Sequence, residues 1–515
     1  MFGALLRAFS LPGWFGWVLI VPALALRLEG WRRGSDWRDD VAGGLLFWAL
    51  AFSFLGHIHP MMPIGAACVM APFWVFEGWM ARRLASRVAF PFCGVLAIAT
   101  SEWLRTFFPM GGVPTAGLGL GAAQSFFLPI GSIFGEAGVG LLILFVAGFF
   151  VCLVHKDREA KILVAPLLAA VVLVCFIPDP AESEELSISC LAVQANLSLE
   201  EKHGALSASD VFARHAELTA DGLADYPNTE LIIWAETMWP WPAVNPADAG
   251  LMRRPWPGRP VEEVPIAQLS DIQSAQVSAL LEGYPKARLL VGAHFYRGVP
   301  EESPEELMSL RTSEVVLFEA DGGLVDQSGK QELVPFGESL PFGGKFPGAK
   351  SLGMKIFSAS GLLPDFHRPP YTGPLGTGSS PQLLGTAVCW ENMFPEVFRR
   401  QVVDGAQAFV IQSNEAWYGV GAEMDQMLAS TQWRAVETGR QILRVTNTGI
   451  SGLVDVTGHV SSALPRGEKG VMSVDLNYCS VGAPLTAFAL WGWLLMPAVA
   501  LFGLVLVCFP RQNSS

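Results

Sequence analysis

The chain reads as two parts, a set of membrane-spanning α-helices and an α/β domain of layered strands and helices. Hydrophobic residues make up 51% of the 515 and charged residues 16%, more apolar than an average soluble protein. The apolar excess is concentrated in residues 1–178 and 484–509, whereas 179–483 has an ordinary globular composition. Within 185–478, short β-prone runs alternate with amphipathic helical stretches, the pattern of an α/β layered domain. The length also exceeds what one hydrophobic core usually organises. A net charge of −13 argues against a nucleic-acid surface, which needs clustered Lys and Arg.

A helix needs about 20 mainly apolar residues to span the hydrocarbon core. Candidate spans lie near 11–28, 40–58, 61–81, 88–106, 119–153 and 162–178, with a last one at 484–508. The stretch 119–153 is too long for one simple span. Its Gly-rich first half, Gly119 to Gly135, is expected to be re-entrant or interfacial and covered by other protein. The run after Arg7 resembles a signal peptide, with Ala23-Leu24-Ala25 as a small-residue site, but the four Arg that follow fit a retained anchor better.

Arg27, Arg32, Arg33 and Arg38 follow the first span, Arg82, Arg83 and Arg87 the third, and Lys156, Arg158 and Lys161 the fifth. The alternate connections, His57 to Pro60 and Phe107 to Leu118, hold no Lys or Arg. By the positive-inside rule the sixth span ends outside, so 179–483 is expected on the extracytoplasmic face. No ionisable pair is evident along the spans, which weighs against a transport path.

The soluble domain opens with the strand candidate Leu186 to Gln194, followed by Glu230 to Trp234, Arg288 to Phe295, Glu314 to Glu319, Gln382 to Cys389, Ala408 to Gln412, Gln441 to Thr446, Gly452 to Asp455 and Val471 to Asp475. Helices are expected near 207–224, 266–284, 395–404 and 423–439. Of the eight cysteines, only Cys190, Cys389 and Cys479 fall in this domain. That is no disulfide framework, although a Cys190–Cys479 pair stays open. The histidines at 203, 215, 294, 367 and 459 have no metal-ligand spacing, and no metal or organic cofactor is expected.

Chemistry concentrates at the ends of these strands. Leu383 to Asn392 runs strand, elbow and then the start of a helix, with Cys389 at the elbow. Free backbone N–H groups and the positive end of a helix there favour thiolate over thiol. A packed structural cysteine is the alternative. Glu236 stands just past Leu231-Ile232-Ile233-Trp234, where a shielded carboxylate can act as general base or merely cap a turn. Lys330 lies in the Pro/Gly-punctuated Gly329 to Glu338, either as a cation over an oxyanion or as a solvated loop lysine. Ala416-Trp417-Tyr418-Gly419, Gln432 to Arg440 and Arg444 to Ser451 form a loop, helix and strand with dense small and polar residues, where backbone can meet ligand.

The order Glu, Lys, Cys resembles the nitrilase, or carbon–nitrogen hydrolase, superfamily, and implies its four-layer αββα sandwich. Leu333-Val334-Pro335-Phe336-Gly337-Glu338, Arg434-Ala435-Val436-Glu437-Thr438-Gly439-Arg440 and Arg444-Val445-Thr446-Asn447-Thr448-Gly449-Ile450-Ser451 are similar to the apolipoprotein N-acyltransferase family. Ser101-Glu102-Trp103-Leu104-Arg105, Leu128-Pro129-Ile130-Gly131 and Gly138-Val139-Gly140-Leu141 match that family's membrane part. The resemblance implies an N-terminal transmembrane domain over 1–178, a catalytic domain over 185–478 and a last transmembrane helix at 484–508, in a bacterial inner membrane.

It also implies roles. Glu236 is the general base, Lys330 the oxyanion-stabilising cation and Cys389 the nucleophile, with Glu338, Glu391 and Trp390 in supporting positions. The partners implied are a phospholipid acyl donor and the amino terminus of a diacylglyceryl-cysteine lipoprotein. Trp239 and Trp241, after Met238, together with Phe336 and the Phe/Gly/Pro-rich Pro341 to Phe357, are expected to act as interfacial wedges or lid residues. Some positions depart from the family. Trp390 replaces a Tyr, Glu332 a His, Lys202-His203 a Lys-Trp pair and Gln426-Met427 a Gln-His pair, and six spans rather than seven precede the soluble domain. A membrane-tethered amidase, or a transporter or scaffold with a degenerate hydrolase domain, are the alternatives.

Overall fold

The computed structural model describes residues 1–508 apart from 15, 177–185, 257–258, 305, 341–364, 378–381 and 420. Residues before 177 are helical: α1 (Phe2–Phe9), α2 (Ile20–Arg32), α3 (Trp37–Ala51), α4 (Met62–Leu84), α5 (Phe92–Leu104), α6 (Gly131–His155) and α7 (Glu159–Phe176). Two helical segments, Met62–Leu84 and Leu128–His155, are long and apolar enough to cross a membrane.

The first expected span, 11–28, is broken. Pro12 and the left-handed Gly13 and Gly16 (φ 80° and 94°) separate α1 from a later-starting α2. Gly119 to Ile130 forms short 3₁₀ turns rather than a continuous helix, and this irregular backbone is covered. Trp433 Nε1 donates to the Leu120 carbonyl at 3.4 Å. The 484–508 segment also divides, its longest helix being Leu495–Cys508.

The expectation that no ion pair lines the spans is overturned. Arg7 and Arg105 both bond Glu102, at 2.9 and 2.7 Å, and Arg27 meets Glu77 at 2.8 Å, all buried. Glu102 also accepts the Leu118 N–H at 3.2 Å. Arg7–Glu102 and Arg27–Glu77 join helices remote in sequence, so no local pattern shows them, whereas Glu102 and Arg105 stand three residues apart; mutual pairing is what makes burial of such charges tolerable.

The second part has two sheets. One runs in the order β15-β1-β2-β6-β7-β8 and the other β14-β13-β12-β11-β10-β9, where β1 is Leu186–Gln194, β2 Leu231–Trp234, β6 Arg288–Tyr296, β7 Arg311–Phe318, β8 Leu324–Gly329, β9 Leu375–Gly376, β10 Leu383–Val388, β11 Ala408–Ser413, β12 Ile442–Thr446, β13 Ser451–Val454, β14 Val460–Leu464 and β15 Gly470–Tyr478. In each sheet three parallel strands, β1-β2-β6 and β10-β11-β12, form the centre, with antiparallel strands outside. The expected strands all form. Six named strands escaped the sequence: Trp239–Ala243 (β3), Leu251–Trp256 (β4), Arg259–Pro265 (β5), β8, β9 and β14. They are short, Pro-containing or polar, and their pairing rather than their composition makes them strands.

The period-2 alternation of strands explains the layering. On β11, Ala408 and Val410 join the core shared with the first sheet, while Phe409 and Ile411 point the other way, onto Phe398 and Val402 of α10 (Pro395–Val403) and Ala435 of α11 (Ala422–Thr438). Gln412 bridges the sheets by donating to the carbonyls of Trp234 and Leu290 at 2.7 and 3.2 Å. On the outer face of the first sheet lie α8 (Ala208–Asp225), opened by a Ser207/Asp210 capping box, and α9 (Ile266–Leu280). The result is helix, sheet, sheet, helix.

α11 also joins the two parts. Its Ala435 faces the sheet, whereas Ala429, Trp433 and Val436 sit in the apolar cluster of the N-terminal helices. Arg434 bonds Glu437 and reaches Glu136 of α6 at 3.3 Å, and the Glu136 N–H donates to Glu437 at 2.7 Å. Each fully buried large apolar side chain in this seam contributes about 1.5–3 kcal/mol. Cys190 and Cys479 are both free thiols, so the pairing left open by the count does not form.

Candidate active site

The centre of each sheet is parallel, so the carboxyl ends of β2, β10 and β11 open on one side, where such sheets usually hold ligands. Glu236 follows β2, Cys389 follows β10, and Asn414 follows β11. Lys330 follows β8, and its N–H is held by the Ser313 carbonyl of β7 at 2.9 Å. The structure thus brings Glu236, Lys330 and Cys389 together from three strand ends.

Lys330 is fully buried between two carboxylates. Its ammonium donates to Glu236 Oε1 at 3.2 Å and to Glu338 Oε1 at 2.7 Å. Burial opposes the charge, but Glu236 and Glu338 outweigh it and hold the lysine well above its ordinary range. The other oxygens are also engaged. Glu236 Oε2 accepts the Asn414 N–H at 3.0 Å, and Glu338 Oε2 the Val334 N–H at 2.8 Å.

Cys389 is 5% exposed and adopts a left-handed φ of 51°, a conformation that costs about 1–3 kcal/mol and survives only where the surroundings enforce it. Glu391 does so. It accepts the N–H groups of Val388 at 2.8 Å, Gln331 at 2.6 Å and Glu332 at 3.1 Å, stitching the cysteine elbow to the lysine turn. Burial pushes Glu391 up to about 7, against Lys330 and these three donors.

The expectation that the elbow favours thiolate is corrected. Burial, with Glu236 and Glu338 adding, pushes the Cys389 thiol far up, and Lys330 and the Ser413 hydroxyl pull it back only in part. A buried anion beside carboxylates costs more than a helix end returns. The resting group is therefore a thiol whose proton must leave during attack.

Gly292 of β6 makes room for the glutamate. A Cβ there would stand 2.6 Å from the Glu236 Cα and 2.7 Å from the Thr237 nitrogen, both backbone atoms that cannot swing aside. Gly292→Ala is expected to displace Glu236 and to lower turnover about 100-fold, the cost of a misplacement near 1 Å. Steady-state kinetics beside a thermal melt checks this. A variant with wild-type turnover would show that the Glu236 elbow is not confined.

The aromatic wedges fare differently. Trp239 is 2% exposed and packs among Phe212, Trp234, Trp241 and Phe318 beneath α8, so it is a core residue and cannot enter a lipid surface. Trp241 is half-buried against Phe212 and Trp239. The wedge role fails for Trp239 because β3 joins the first sheet beside β6. Phe336 occupies a left-handed position (φ 65°) in the turn after Lys330. Pro341 to Phe357 lies outside the described residues, as does the His203 side chain. Trp390 packs edge-on against Phe394, and both belong to the cluster around Met427.

Several site residues were missed. Asn414 also accepts from Asn447 at 2.9 Å, and Asn447 in turn grips Leu197. Glu415 pairs with Arg444, both wholly buried. Ser413-Asn414-Glu415 is a polar run closing a buried parallel strand, the same signal that marked Glu236. Lys202 reaches Thr237 Oγ1 and had no strand-end cue.

Residues 192–483 match the model of the family described as carbon-nitrogen hydrolase, and residues 3–149 that of the apolipoprotein N-acyltransferase N-terminal domain. An apolipoprotein N-acyltransferase of Caulobacter vibrioides is 29% identical over 86% of this chain and 80% of its own length. That of Methylococcus capsulatus is 25% identical over 97% and 93%. Among solved structures, Saccharomyces cerevisiae Nit3, of the nitrilase superfamily, is 14% identical with a TM-score of 0.38, covering 65% of this chain and 100% of its own. An amidase from Nesterenkonia sp. is 16% identical with a TM-score of 0.33, covering 59% and 93%.

Proposed function

The chain belongs to the carbon-nitrogen hydrolase family, in the branch that carries the apolipoprotein N-acyltransferase N-terminal domain, and from that premise we propose that it moves a fatty acyl chain from a phospholipid to the α-amine of diacylglyceryl-cysteine at a lipoprotein's amino terminus. The observation that carries the reading is the convergence of Cys389 on the Lys330 ammonium, itself paired to Glu236. The thiol sulfur attacks the ester carbonyl as Glu236 accepts its proton, and the developing oxyanion faces Lys330. The ester C–O bond breaks, the proton passes from Glu236 to the departing oxygen, and a lysophospholipid leaves a thioester on Cys389. The acceptor amine then attacks. Glu236 takes the amine proton, the C–S bond breaks, and the proton returns to sulfur as the amide forms.

Glu338 supports this by sharing Lys330, and Glu391 by holding the elbow. A thiol that stays protonated at rest fits a site that must wait for an ester. Both substrates keep their acyl chains in a bilayer, which favours a site at a lipid surface. In this reading 1–178 and 484–508 lie in a bacterial inner membrane as a multi-span anchor, with 185–478 on the extracytoplasmic side. The long apolar helices and the loop charges support it.

Intact-protein mass spectrometry after incubation with phospholipid tests the proposal. An acyl adduct is expected that neutral hydroxylamine removes, that a diacylglyceryl-cysteine peptide discharges to an amide, and that Cys389→Ala lacks. Discharge to water at the same rate with or without peptide would make the protein an amidase-type hydrolase instead. A Cys389→Ala protein that sustains lipoprotein acylation would leave a scaffold role.

A further inference from the structure

The mechanism leaves one cation beside the thiol unused. Lys202 lies in the single helical turn Glu201–Ala205 that follows β1, and its ammonium donates to the hydroxyl of Thr237, the residue after Glu236. Thr237 is itself left-handed, with φ 53°. Unlike Lys330, Lys202 has no carboxylate within ion-pair distance among the described residues. It is nevertheless half-buried. Burial pushes it down to about 8, while Glu236 and Cys389 act on it in the opposite sense, so it stands within electrostatic range of the reacting atoms.

A second cation lies within electrostatic range. Arg311, at the start of β7, acts on Lys202 as a like charge. Its Nη1 bonds Asp365 at 3.0 Å, its Nη2 meets the His294 ring at 3.2 Å, and its guanidinium stacks 4.1 Å over Phe366. Its Nε is buried with no partner. The centre these cations border is acidic, for Glu236 and Glu338 share a single lysine. An anionic substrate entering there needs positive charge that Lys330 cannot spare.

We propose that Lys202, with Arg311 beside it, binds the phosphodiester of the acyl donor and so places the donor's ester over Cys389. The inference rests on the acyl-transfer reading above. A phosphodiester carries one negative charge and sits one glycerol unit from the ester, so an anchor beside Glu236 and the thiol has the reach required. The acceptor amine carries no such anion, which assigns the cations to the first half-reaction. Free inorganic phosphate has the same chemistry, and the test separates the two.

The experiment measures acyl-Cys389 formation by the full-length protein in mixed micelles, with phosphatidylglycerol, with phosphatidylethanolamine and with the phosphate-free ester p-nitrophenyl palmitate. Lys202→Met is expected to slow acylation by both phospholipids about 30-fold, the worth of one charge-assisted hydrogen bond, with a loss at least about tenfold smaller for the p-nitrophenyl ester. Lys202→Arg should recover most of the phospholipid rate. Arg311→Gln should show the same donor selectivity, and it keeps the test sharp if Lys202→Met folds poorly.

Equal losses with all donors would overturn the proposal, since Lys202 would then act on Glu236 and Cys389. So would no loss with any donor. If millimolar phosphate suppresses the wild-type reaction with the p-nitrophenyl ester and Lys202→Met escapes it, the site belongs to free phosphate and the donor assignment falls. A wild-type protein acylated by the p-nitrophenyl ester but by no phospholipid would remove the acyl-transfer reading itself, and this proposal with it.

Discussion

Lys330→Met is expected to abolish turnover and to destabilise the protein by about 3–5 kcal/mol, the usual cost of breaking a buried ion pair from one side. Lys330 is 0% exposed and joins Glu236 and Glu338 at 3.2 and 2.7 Å. Without it two buried carboxylates face each other, and the oxyanion loses its cation, itself worth about 10²–10³ in rate. The stability loss should depend on pH. Glu338 is already raised by burial, with Lys330 acting to lower it, so removing the lysine raises it further. A carboxyl raised in the folded state contributes stability at low pH that is lost as pH climbs through its folded value. The melting temperature of Lys330→Met should therefore fall further below wild type at pH 8 than at pH 5. A pH-independent difference would mean that the carboxylates find another partner. Lys330→Arg should not rescue, because a guanidinium does not fit the space of a fully enclosed ammonium.

Glu236→Gln is expected to slow both half-reactions about 10²–10⁴-fold, the range for a lost general base. The substitution keeps size but not hydrogen bonding. Glu236 Oε1 accepts from Lys330 and Oε2 from the Asn414 N–H, so a glutamine must turn its NH₂ toward one donor. Some loss of stability accompanies the loss of rate, since an unpaired buried donor costs about 1–3 kcal/mol. Rapid-quench measurement of acyl-enzyme formation, and separately of its discharge by the peptide amine, checks this. If only the first step slowed, the amine would be losing its proton to some other group. If neither slowed, Glu236 would not be the base.

The two substitutions separate roles that geometry entangles. Lys330 touches both carboxylates, so its loss combines electrostatics with folding, whereas Glu236→Gln removes basicity while the lysine keeps Glu338. A larger thermal shift in Lys330→Met than in Glu236→Gln is the signature expected of a lysine whose first task is to neutralise its neighbours.

Much of this protein was determined locally and is legible in the chain. Hydropathy marked where helices would lie near a membrane, because that preference is a property of each side chain. Strand runs ending in Glu236 and Cys389 stood out because a buried parallel strand must be apolar until it reaches the sheet's open edge. The Gly/Pro punctuation around Lys330 announced a turn for similar reasons. Trp239 was misjudged because exposure is not a local property: a Trp-Pro-Trp segment can enter lipid or line a core, and pairing of Trp239–Ala243 with β6 chose the core.

Tertiary structure alone decided the charges. Lys330 and Glu236 are 94 residues apart, Arg7 and Glu102 are 95, and no window of sequence contains either pair. The same holds for Lys202 against Thr237 and for Asn414 under Glu236. Whether Cys389 rests as thiol or thiolate also depends on how much water the two sheets and the N-terminal helices exclude. Periodicity can place a residue on a strand end, but the energy of an ion depends on every group packed around it, and only the folded chain brings those groups together.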